Sequence, residues 1–192
     1  MRVSCGTSNA GKLREFQLAA PDFEIRAVKA TPPEEHGATF LENARLKAAY
    51  YASLTGGWVF ADDSGLEVDA LAGAPGVHSA RFAGPDANDQ ANNALLLDRL
   101  RGVVDRSARF VCVIALANDG VVDKTFRGSV EGRILEAPRG ARGFGYDPMF
   151  QPHGEVETYG EMDPARKAAR SHRARAFAAL VRGCLGVPQT TD

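Results

Sequence analysis

Apolar residues along the chain follow strand-like and helix-like spacing in turn, and small polar residues mark the boundaries between segments. Short apolar runs predict strands at 2–5, 58–61 and 109–118. An Asn-Asp-Gly turn then leads into 121–129, an alternating segment typical of the second strand of a hairpin, and 130–135 continues as another extended piece. Between these strands the apolar spacing becomes helical.

The predicted helices each open at a residue that can cap a helix N-terminus. They begin after Asn9, after Thr39, after Asp86 or Asn88, and after Asp163 or alternatively Ser171, and the last three end near Gly56, Gly102 and Gly186. The second helix has the clearest start, because Thr39 and Glu42 match the capping box. The third carries a leucine face that predicts core or a subunit contact.

The most informative stretch is Trp58–Gly65, where a short apolar strand is predicted to end at two adjacent carboxylates, Asp62 and Asp63. A Ser64–Gly65 turn is expected next, with the chain resuming over 66–71. Neighbouring carboxylates at the end of a buried strand repel each other and lose solvation, and a divalent cation bound to phosphates offsets that cost. Oxygen ligands without a Cys/His cluster favour magnesium or manganese over zinc. A polar turn facing water is the alternative.

The segment Gly6–Lys12 predicts an anion site, because a strand runs through small residues into a helix N-terminus and Lys12 adds a full charge. Its spacing also fits a P-loop, with 58–62 as the Walker B partner. A P-loop needs a Ser or Thr hydroxyl at the next position, where this chain has Leu13. The phosphate-binding hypothesis therefore remains, and the P-loop hypothesis is disfavoured. A solvated lysine at a helix start is the alternative for Lys12.

An acidic loop, Glu34–Glu35, precedes the second helix and offers a further metal-binding carboxylate. Glu42 is less suited to that role, because the capping box already gives it a structural one. An ordinary acidic loop remains the alternative. On the helix itself, Lys47 shares a largely apolar stripe with Phe40 and Tyr51, so it either extends to solvent or reaches phosphate.

A glycine-rich segment, Arg139–Pro148, is the second informative stretch. Glycines on both sides of Phe144 let the backbone approach a flat ligand, and the Phe144 ring can stack on a base. Asp147, fixed before a proline, can accept hydrogen bonds from ring N–H groups. The alternative is a glycine-rich surface loop with a buried aromatic residue.

The charge balance excludes a broad nucleic-acid or membrane surface, since the formal net charge is −1. A local exception is the cationic cluster of Lys167, His172 and Arg173, for which a solvated helix face is the common explanation. Three widely spaced cysteines predict buried thiols in a reducing cytosol. No apolar signal segment opens the chain, and the longest apolar run, 110–117, is too short to span a bilayer. A cytoplasmic protein is therefore expected.

Six segments together resemble the inosine/xanthosine triphosphate pyrophosphatase family. In chain order they are Thr7–Lys12, Thr39–Ala44 with Lys47, Ala61–Leu66, Pro75–Arg81, Phe144–Pro148 and Ser171–Arg173. Each segment alone is a weak signal, but six in the family's order over almost the whole chain are specific. Ser8 stands where the family often has glycine, and His78 where an aromatic residue is frequent. Neither departure removes a proposed chemical group.

The resemblance implies an α/β fold in a single domain over residues 1–192, with a long mixed central sheet, flanking helices and two lobes around a cleft. It also implies a homodimer and a magnesium-dependent enzyme, with manganese as the alternative metal. The expected reaction cleaves ITP, dITP or XTP between the α and β phosphates, giving the monophosphate and pyrophosphate. No nucleic-acid polymer or membrane is expected as a partner.

The resemblance assigns roles to individual residues at matching positions. Asp63 looks like the general base and a metal ligand, and Glu34 looks like the second metal carboxylate. The substrate contacts are Thr7, Ser8, Asn9, Ala10, Gly11, Lys12, Lys47, Ser64, Phe144, Gly145, Tyr146, Asp147, Lys167, His172 and Arg173. Among them, Thr7–Lys12 look like the triphosphate loop, and Phe144–Asp147 with His172 and Arg173 look like the base pocket.

The expected base preference has a physical reason. Donors from His172, Arg173 or backbone N–H groups suit the 6-oxo group of hypoxanthine and xanthine, whereas the 6-amino group of adenine leaves them unpaired at about 1–3 kcal/mol per buried group. Two alternatives remain: the same chemistry on pyrimidine or modified nucleotides, and a nucleotide-sensing module without turnover. Asp62, Asp63 and Lys12 argue against the module, because binding alone has little need of a base beside a metal.

Overall fold

Strands and helices alternate up to the strand Ser107–Asn118, after which two further strands and then two helices follow in succession. The short strands Glu24–Ala27 and Phe150–Pro152 were not predicted. The structure is a computed structural model that describes residues 2–185. The strands are β1 (Arg2–Cys5), β2 (Glu24–Ala27), β3 (Trp58–Val68), β4 (Ser107–Asn118), β5 (Val121–Ile134) and β6 (Phe150–Pro152). The helices are α1 (Ala10–Ala19), α2 (Phe40–Thr55), α3 (Asp89–Arg99), α4 (Pro164–Arg170) and α5 (His172–Leu185), with 3₁₀ helices at Asp69–Leu71 and Gly76–Arg81. The predicted helix end near Gly186 lies outside the described residues.

The strands form a mixed sheet in the order β2-β1-β3-β4-β5-β6. β1 is parallel to both β2 and β3, with Cys5 opposite Ala27 on one side and Phe60 on the other. β4 and β5 are neighbours joined only by Asp119 and Gly120, which makes them antiparallel, and β6 is antiparallel to β5. The predicted extended piece after the hairpin is part of β5. The predicted α/β class, with a mixed central sheet and flanking helices, is confirmed.

The chain divides into two compact units, and the division falls inside three of the strands. Among the described residues, unit 1 comprises 2–63, 112–128 and 168–185, and unit 2 comprises 64–111 and 129–167. β3, β4 and β5 therefore each contribute one part to each unit. The single domain expected for the whole chain stays a prediction.

Three aromatic rings form the centre of unit 1. Phe16 of α1, Phe60 of β3 and Phe177 of α5 are all buried. The ring centroids are 5.2 Å apart for Phe16–Phe60 and 5.5 Å apart for Phe60–Phe177, in edge-on geometry. Such pairs contribute about 0.5–1.5 kcal/mol each beyond the area that they bury. This packing holds α1 and α5 against β3 and so positions the N-terminal ends of both helices.

Unit 2 has its own core, built on α3 and the strands. Phe110 and Phe150 lie with ring centroids 4.7 Å apart, and Tyr159 stacks on Phe110 at 5.9 Å. Leu96 of α3 and Leu100, the residue that follows the helix, are completely buried in the same cluster. The predicted leucine face of this helix is therefore core.

The turn predicted at Ser64–Gly65 is wrong, because β3 runs without interruption from Trp58 to Val68. Asp62 and Asp63 consequently lie in the middle of a buried strand and not at its end. Since successive strand residues point to opposite faces, these two carboxylates contact different neighbours.

Gly65 is required for a close approach within unit 2 and not for a turn. A Cβ at this position would lie 2.3 Å from Ser79 Oγ and 2.6 Å from the Gly76 carbonyl oxygen. The Ser79 hydroxyl accepts a hydrogen bond from the Leu66 N–H at 2.9 Å and donates to the Gly76 carbonyl at 2.6 Å. A sequence pattern of small residues predicts a turn and a close contact equally well, which explains the error.

α4 and α5 are separate helices, so both predicted starting points of the last helix are used. Asp163 Oδ1 accepts a backbone N–H of the first turn of α4 at 2.9 Å, and Ser171 Oγ accepts one from α5 at 3.2 Å. The break lies close to β5, because a Cβ on Gly128 would be 2.3 Å from the His172 carbonyl oxygen. His172 and Arg173 are thereby placed in the first turn of a helix.

The cysteines are only partly as predicted. Cys5 and Cys112 are buried, but Cys184 is exposed, so the prediction of a buried thiol is wrong there. All three are free thiols. Within residues 2–185, no helix combines the length and the apolar character needed to span a membrane.

Candidate functional site

Asp63 is held at both carboxylate oxygens by two residues of α2. Its Oδ2 accepts a hydrogen bond from Asn43 Nδ2 at 3.1 Å, and its Oδ1 lies 3.3 Å from Lys47 Nζ. Asn43 and Lys47 are one helical turn apart, so both reach the same strand position. Asp63 is 5% exposed, and burial raises its pKa above the usual aspartate value despite the nearby ammonium groups of Lys47 and Lys12. The higher basicity suits a group that takes a proton from water.

Lys47 links Asp63 to the acidic loop that precedes α2. Its Nζ lies 2.8 Å from Glu35 Oε1. Burial acts to lower the pKa of this ammonium, but the carboxylates of Asp63, Asp62 and Glu35 outweigh burial and raise the pKa. Glu34, the predicted second metal carboxylate, is exposed and forms no ion pair within the described part of the chain. The structure thus places Glu35 beside the lysine that holds Asp63, and the metal role of Glu34 stays a prediction.

The loop between β1 and α1, which carries the predicted triphosphate contacts, is tied to its neighbours in unit 1. The Gly6 N–H donates to the Phe60 carbonyl at 2.7 Å, and a Cβ on Gly6 would lie 2.3 Å from the Tyr51 ring. Beyond this contact the loop faces outward, with Thr7 half-buried and Ser8 exposed. The departure from the family's glycine at Ser8 therefore falls at an exposed position.

The N-terminus of α1 is capped on one side and retains free helical donors. Asn9 Oδ1 accepts from the Lys12 N–H at 3.0 Å, as predicted. The first intrahelical hydrogen bond runs from the Leu13 N–H to the Asn9 carbonyl at 3.1 Å. The N–H groups of Ala10 and Gly11 precede it and have no acceptor within the helix. Together with the positive end of the helix dipole, these donors suit phosphate oxygens.

Asp62 gathers cations around one buried carboxylate oxygen. Its Oδ2 lies 3.1 Å from Lys12 Nζ and 3.9 Å from Arg173 Nε. Cys112 Sγ lies 3.9 Å from the same oxygen. Burial, together with the Asp62 carboxylate, raises the pKa of the Cys112 thiol, so the thiol stays protonated. The sequence paired Asp62 with Asp63 as candidate metal carboxylates but did not predict that Asp62 contacts Lys12 and Arg173.

Arg173 and His172 open α5, and both side chains are buried. Arg173 Nη1 donates to Glu15 Oε2 of α1 at 2.6 Å. Burial opposes the guanidinium charge, but the carboxylates of Glu15 and Asp62 outweigh burial and raise its pKa. The common explanation of the cationic cluster, a solvated helix face, is wrong for all three members, because Lys167 is buried as well.

In unit 2, Asp147 anchors the glycine-rich loop. Its Oδ2 accepts from the Phe144 N–H at 2.8 Å and forms an ion pair with Lys167. Lys167 Nζ also lies 5.2 Å from the ring centroids of both Phe144 and Tyr159. Gly143 has a φ of +76°, and a Cβ there would lie 2.0 Å from Asp147 Oδ2. The anchored conformation therefore requires glycine at this position.

Two residues of α3 bind both backbone polar groups of Gly145 in this loop. The Gly145 N–H donates to Asp89 Oδ2 at 2.6 Å, and the Gly145 carbonyl accepts from Asn93 Nδ2 at 3.0 Å. The Tyr146 hydroxyl donates to the Ser79 carbonyl at 2.8 Å. Neither polar residue of α3 was predicted, because the sequence showed only the leucine face of this helix.

The structure brings several predicted residues together within each unit. In unit 1, Lys12 and Arg173 contact Asp62 and Lys47 contacts Asp63; in unit 2, Asp147 and Lys167 form an ion pair beside Phe144. Ser64 follows on β3 and is half-buried, and its substrate role stays a prediction.

Sequence reasoning missed four polar residues that complete these networks. They are Glu15, Asn43, Asp89 and Asn93. A signal existed for Asn43, which lies four positions before Lys47 on the buried stripe of α2. No pattern pointed to Glu15, since a glutamate on a surface helix is ordinary.

The carboxylates of unit 1 fit a hard divalent cation. Residues 2–185 contain no group of three or more His, Cys, Asp or Glu placed to hold a metal by themselves. Magnesium is commonly bound through one or two carboxylates, with water and substrate phosphates completing its shell. Asp63 with one glutamate of the acidic loop is such a donor set. The Lys47 ammonium, which contacts both Asp63 and Glu35, shows that these two carboxylates can share a positive charge.

Known proteins resemble this chain over almost its full length. A model described as the Ham1 family matches residues 3–183. A dITP/XTP pyrophosphatase of Exiguobacterium sp. is 48% identical over 186 residues, which covers 94% of this chain and 95% of the relative. A dITP/XTP pyrophosphatase of Deinococcus deserti is 50% identical over 182 residues, with 93% and 87% covered. The solved structure of the Staphylococcus aureus Ham1 protein matches with a TM-score of 0.85 at 38% identity, covering 97% of this chain and 99% of its own. A HAM1 protein from Coxiella burnetii matches with a TM-score of 0.85 at 39% identity, covering 97% and 100%.

Proposed function

This chain belongs to the Ham1 family, and from that premise we propose that it hydrolyses the deaminated purine nucleotides ITP, dITP and XTP to the monophosphate and pyrophosphate. Relatives near 50% identity carry the name dITP/XTP pyrophosphatase, which supports this substrate class. The observation that carries the proposal is the setting of Asp63, a buried carboxylate of raised pKa held by Asn43 and Lys47. Its neighbour Asp62 holds Lys12 at the start of an anion-binding helix.

The proposal assigns the triphosphate to the loop Thr7–Lys12. The N–H groups of Ala10 and Gly11 offer two backbone donors, and the helix dipole favours negative charge at this end. The Lys12 ammonium has three donors, so it can keep its contact with Asp62 and still reach a phosphate oxygen. Ser64, the residue after the proposed base, adds a hydroxyl for a further substrate contact.

Asp63 is the proposed general base. A water beside this carboxylate gives up a proton to it while the water oxygen attacks the α-phosphorus in line. The bond from that phosphorus to the oxygen bridging the β-phosphorus breaks, and the bonding electrons leave with pyrophosphate. Lys12 and Lys47 stabilise the negative charge that develops on the leaving group. The contacts of Asp63 with Asn43 and Lys47 keep its oxygens in place during the transfer.

A magnesium or manganese ion belongs to this proposal, with Asp63 and a glutamate of the acidic loop as its protein ligands. When bound, such an ion neutralises phosphate charge and lowers the pKa of coordinated water. The resemblance favours Glu34 as the second ligand, whereas the contact with Lys47 favours Glu35. Loss of metal affinity in Glu34→Gln or in Glu35→Gln, measured by calorimetry, distinguishes the two.

Two sets of residues are proposed for base recognition. In unit 2, the Phe144 ring offers a stacking surface, and its backbone is fixed by Asp147, Gly145 and Tyr146. In unit 1, Arg173 and His172 offer donors for a 6-oxo group at the first turn of α5. Adenine presents an amino group at that position, which leaves a buried donor unpaired at a cost of about 1–3 kcal/mol. Guanine shares the 6-oxo group, so its rejection depends on the 2-amino group.

A homodimer in the cytoplasm completes the proposal. The family resemblance supports the dimer, and the free thiols of Cys5, Cys112 and Cys184 are consistent with a reducing compartment. Light scattering coupled to size-exclusion chromatography measures the molar mass and so tests the homodimer directly.

The decisive experiment incubates the purified protein with ITP, dITP, XTP, GTP and ATP plus Mg²⁺ and assays pyrophosphate separately from orthophosphate. Pyrophosphate released chiefly from the first three supports the proposal. Orthophosphate alone would indicate an ordinary NTPase, and binding without turnover would indicate a sensor. A preference for pyrimidine nucleotides would keep the chemistry but change the substrate class.

A further inference from the structure

Asn43 lies in the first turn of α2, and both polar atoms of its amide form hydrogen bonds. The residue is completely buried. Its Oδ1 accepts from the Gly37 N–H at 2.7 Å, and its Nδ2 donates to Asp63 Oδ2 at 3.1 Å and to the Gly37 carbonyl at 3.4 Å. One side chain therefore contacts both polar groups of a loop residue and the carboxylate of the proposed base.

Gly37 fits this arrangement because it has no side chain. A Cβ there would lie 2.6 Å from Asn43 Oδ1 and 2.7 Å from Glu42 Cβ. The next residues are also tied to α2, since the Ala38 N–H donates to Glu42 Oε2 at 2.7 Å and the Glu42 N–H donates to Thr39 Oγ1 at 3.1 Å. The acidic loop thus ends on a rigid block formed by the first turn of α2.

The Asp63 carboxylate needs such a block because its terminal torsion is intrinsically broad. Lys47 contacts one oxygen through a long, flexible side chain and also contacts Glu35. Asn43 contacts the other oxygen through a short side chain whose remaining atoms are fixed by Gly37. The neutral amide adds no charge; its hydrogen bond lowers the pKa of Asp63, but burial still raises that pKa above the usual aspartate value.

We propose that Asn43 is a positioning residue that orients the Asp63 carboxylate for proton transfer and keeps the acidic loop in register with it. This inference rests on the proposed function, which it deepens by naming the residue that acts through the base. Asn43 accepts no proton itself and acts only through the Asp63 carboxylate that it holds. Its effect is on kcat, because the orientation of the base matters when the proton moves and not when the nucleotide binds.

Two substitutions separate the two contacts of Asn43. Asn43→Asp keeps an acceptor for the Gly37 N–H but replaces the donor that faces Asp63 and the Gly37 carbonyl with an oxygen. Asn43→Leu removes both contacts at similar volume. We expect kcat for ITP to fall about 10- to 100-fold in both variants, with KM within about threefold of the unaltered protein. Hydrogen exchange at the Gly37 amide should stay slow in Asn43→Asp and become fast in Asn43→Leu.

Asn92 is a matched control in unit 2. It is also a buried asparagine in the first turns of a helix, and it grips a loop by accepting from the Ala83 N–H at 2.8 Å and donating to the Ala80 carbonyl at 3.1 Å. Asn92→Leu should lower the melting temperature as Asn43→Leu does, while kcat stays within about twofold of the unaltered protein.

The outcomes separate this inference from the proposed function. Near-normal kcat in Asn43→Asp, with active unaltered protein, overturns the positioning role. An equal loss of kcat in Asn92→Leu also overturns it, because the loss then reflects general destabilisation. Absence of pyrophosphate release by the unaltered protein overturns the proposed function and this inference with it. If Asn43→Leu does not fold, the kinetics of the near-isosteric Asn43→Asp still decide.

Discussion

Lys12 Nζ lies 3.1 Å from Asp62 Oδ2, and this ion pair joins the start of α1 to the middle of β3. Arg173 of α5 approaches the same oxygen at 3.9 Å. Asp63, the next residue, faces α2 because side chains alternate along a strand. The two adjacent carboxylates therefore contact different residues: Asp62 contacts Lys12 of α1 and Arg173 of α5, and Asp63, the proposed base, contacts Asn43 and Lys47 of α2.

Replacing Asp62 tests the first of these sets of contacts. Asp62→Asn should lower kcat/KM for ITP about 10- to 100-fold, because Lys12 and Arg173 lose the charge that places them. Breaking a buried pair in this way typically costs about 3–5 kcal/mol in the free energy of unfolding. Steady-state kinetics and urea denaturation measure both effects. Asp69→Asn, which removes a half-exposed partner of Arg109, is the control and should change neither by much. Unchanged kinetics in Asp62→Asn would show that Asp62 is dispensable.

Asp63→Asn should nearly abolish pyrophosphate release while leaving the fold intact. The amide keeps the shape of the side chain but cannot accept the proton from water, so kcat should drop by at least about 100-fold. Circular dichroism checks the fold and a pyrophosphate assay checks turnover. Near-normal activity in this variant would remove Asp63 from the base role.

The same substitution predicts a pH-dependent change in stability. Burial raises the pKa of Asp63 in the folded protein above its unfolded value of about 3.9. Between these two pKa values the folded state binds more protons than the unfolded state, so the free energy of unfolding falls as pH rises through that window. Asp63→Asn lacks this titration. In metal-free protein, the variant should therefore gain stability relative to the unaltered protein as pH is raised from about 4 to 7. If denaturation curves show that Asp63→Asn loses stability relative to the unaltered protein as pH rises, the raised pKa is contradicted.

Arg173→Lys tests base recognition without removing the buried charge that Glu15 and Asp62 require. Lysine lacks the planar fork of arginine, so a donor to the base is lost while the ion pairs are largely retained. The ratio of kcat/KM for ITP to that for ATP should fall about tenfold, in line with one lost hydrogen bond to the base. Arg175→Lys, at an exposed position of the same helix, is the control. An equal loss on both nucleotides would mean that Arg173 does not distinguish the bases.

The hydrogen bonds from Asp89 and Asn93 of α3 to the backbone of Gly145 predict an effect on nucleotide binding. Asp89→Ala combined with Asn93→Ala removes both hydrogen bonds to the Gly145 peptide, each of which contributes about 0.5–1.5 kcal/mol. KM for ITP should rise several-fold, with kcat changed little, because the loop remains anchored by Asp147 and Lys167. Asp98→Ala, on the same helix, removes only an exposed contact with Arg101 and should have no effect. A normal KM in the double variant would separate α3 from nucleotide binding.

Local signals predicted much of the fold because the relevant interactions are close in sequence. Asn9 caps α1 and Thr39 caps α2 through contacts within a few residues, as predicted. Glu42 accepts from the Ala38 N–H instead of the Thr39 N–H that a capping box uses. The buried stripe of α2 through Lys47 and Tyr51 follows from helical periodicity. These features depend on the local geometry of a helix, so the spacing of residues in the sequence is enough to predict them.

Distant contacts account for most of what the sequence did not reveal. The pairing of Glu15 with Arg173 joins residues 158 positions apart, and no local pattern marks either as a partner. Gly65 was misinterpreted for the same reason, since Ser79, the residue that requires it to be small, comes fourteen positions later in the chain. Lys167 and His172 are buried by packing against distant parts of the chain, so a local run of cations does not predict their burial.

In the proposed reaction, a water beside Asp63 attacks the α-phosphorus. Hydrolysis of ITP in water labelled with heavy oxygen, followed by mass spectrometry of both products, shows which phosphorus is attacked. We expect the label in the monophosphate and no label in the released pyrophosphate. Label in the pyrophosphate would mean attack at the β-phosphorus, which would contradict the proposed reaction and the role assigned to Asp63.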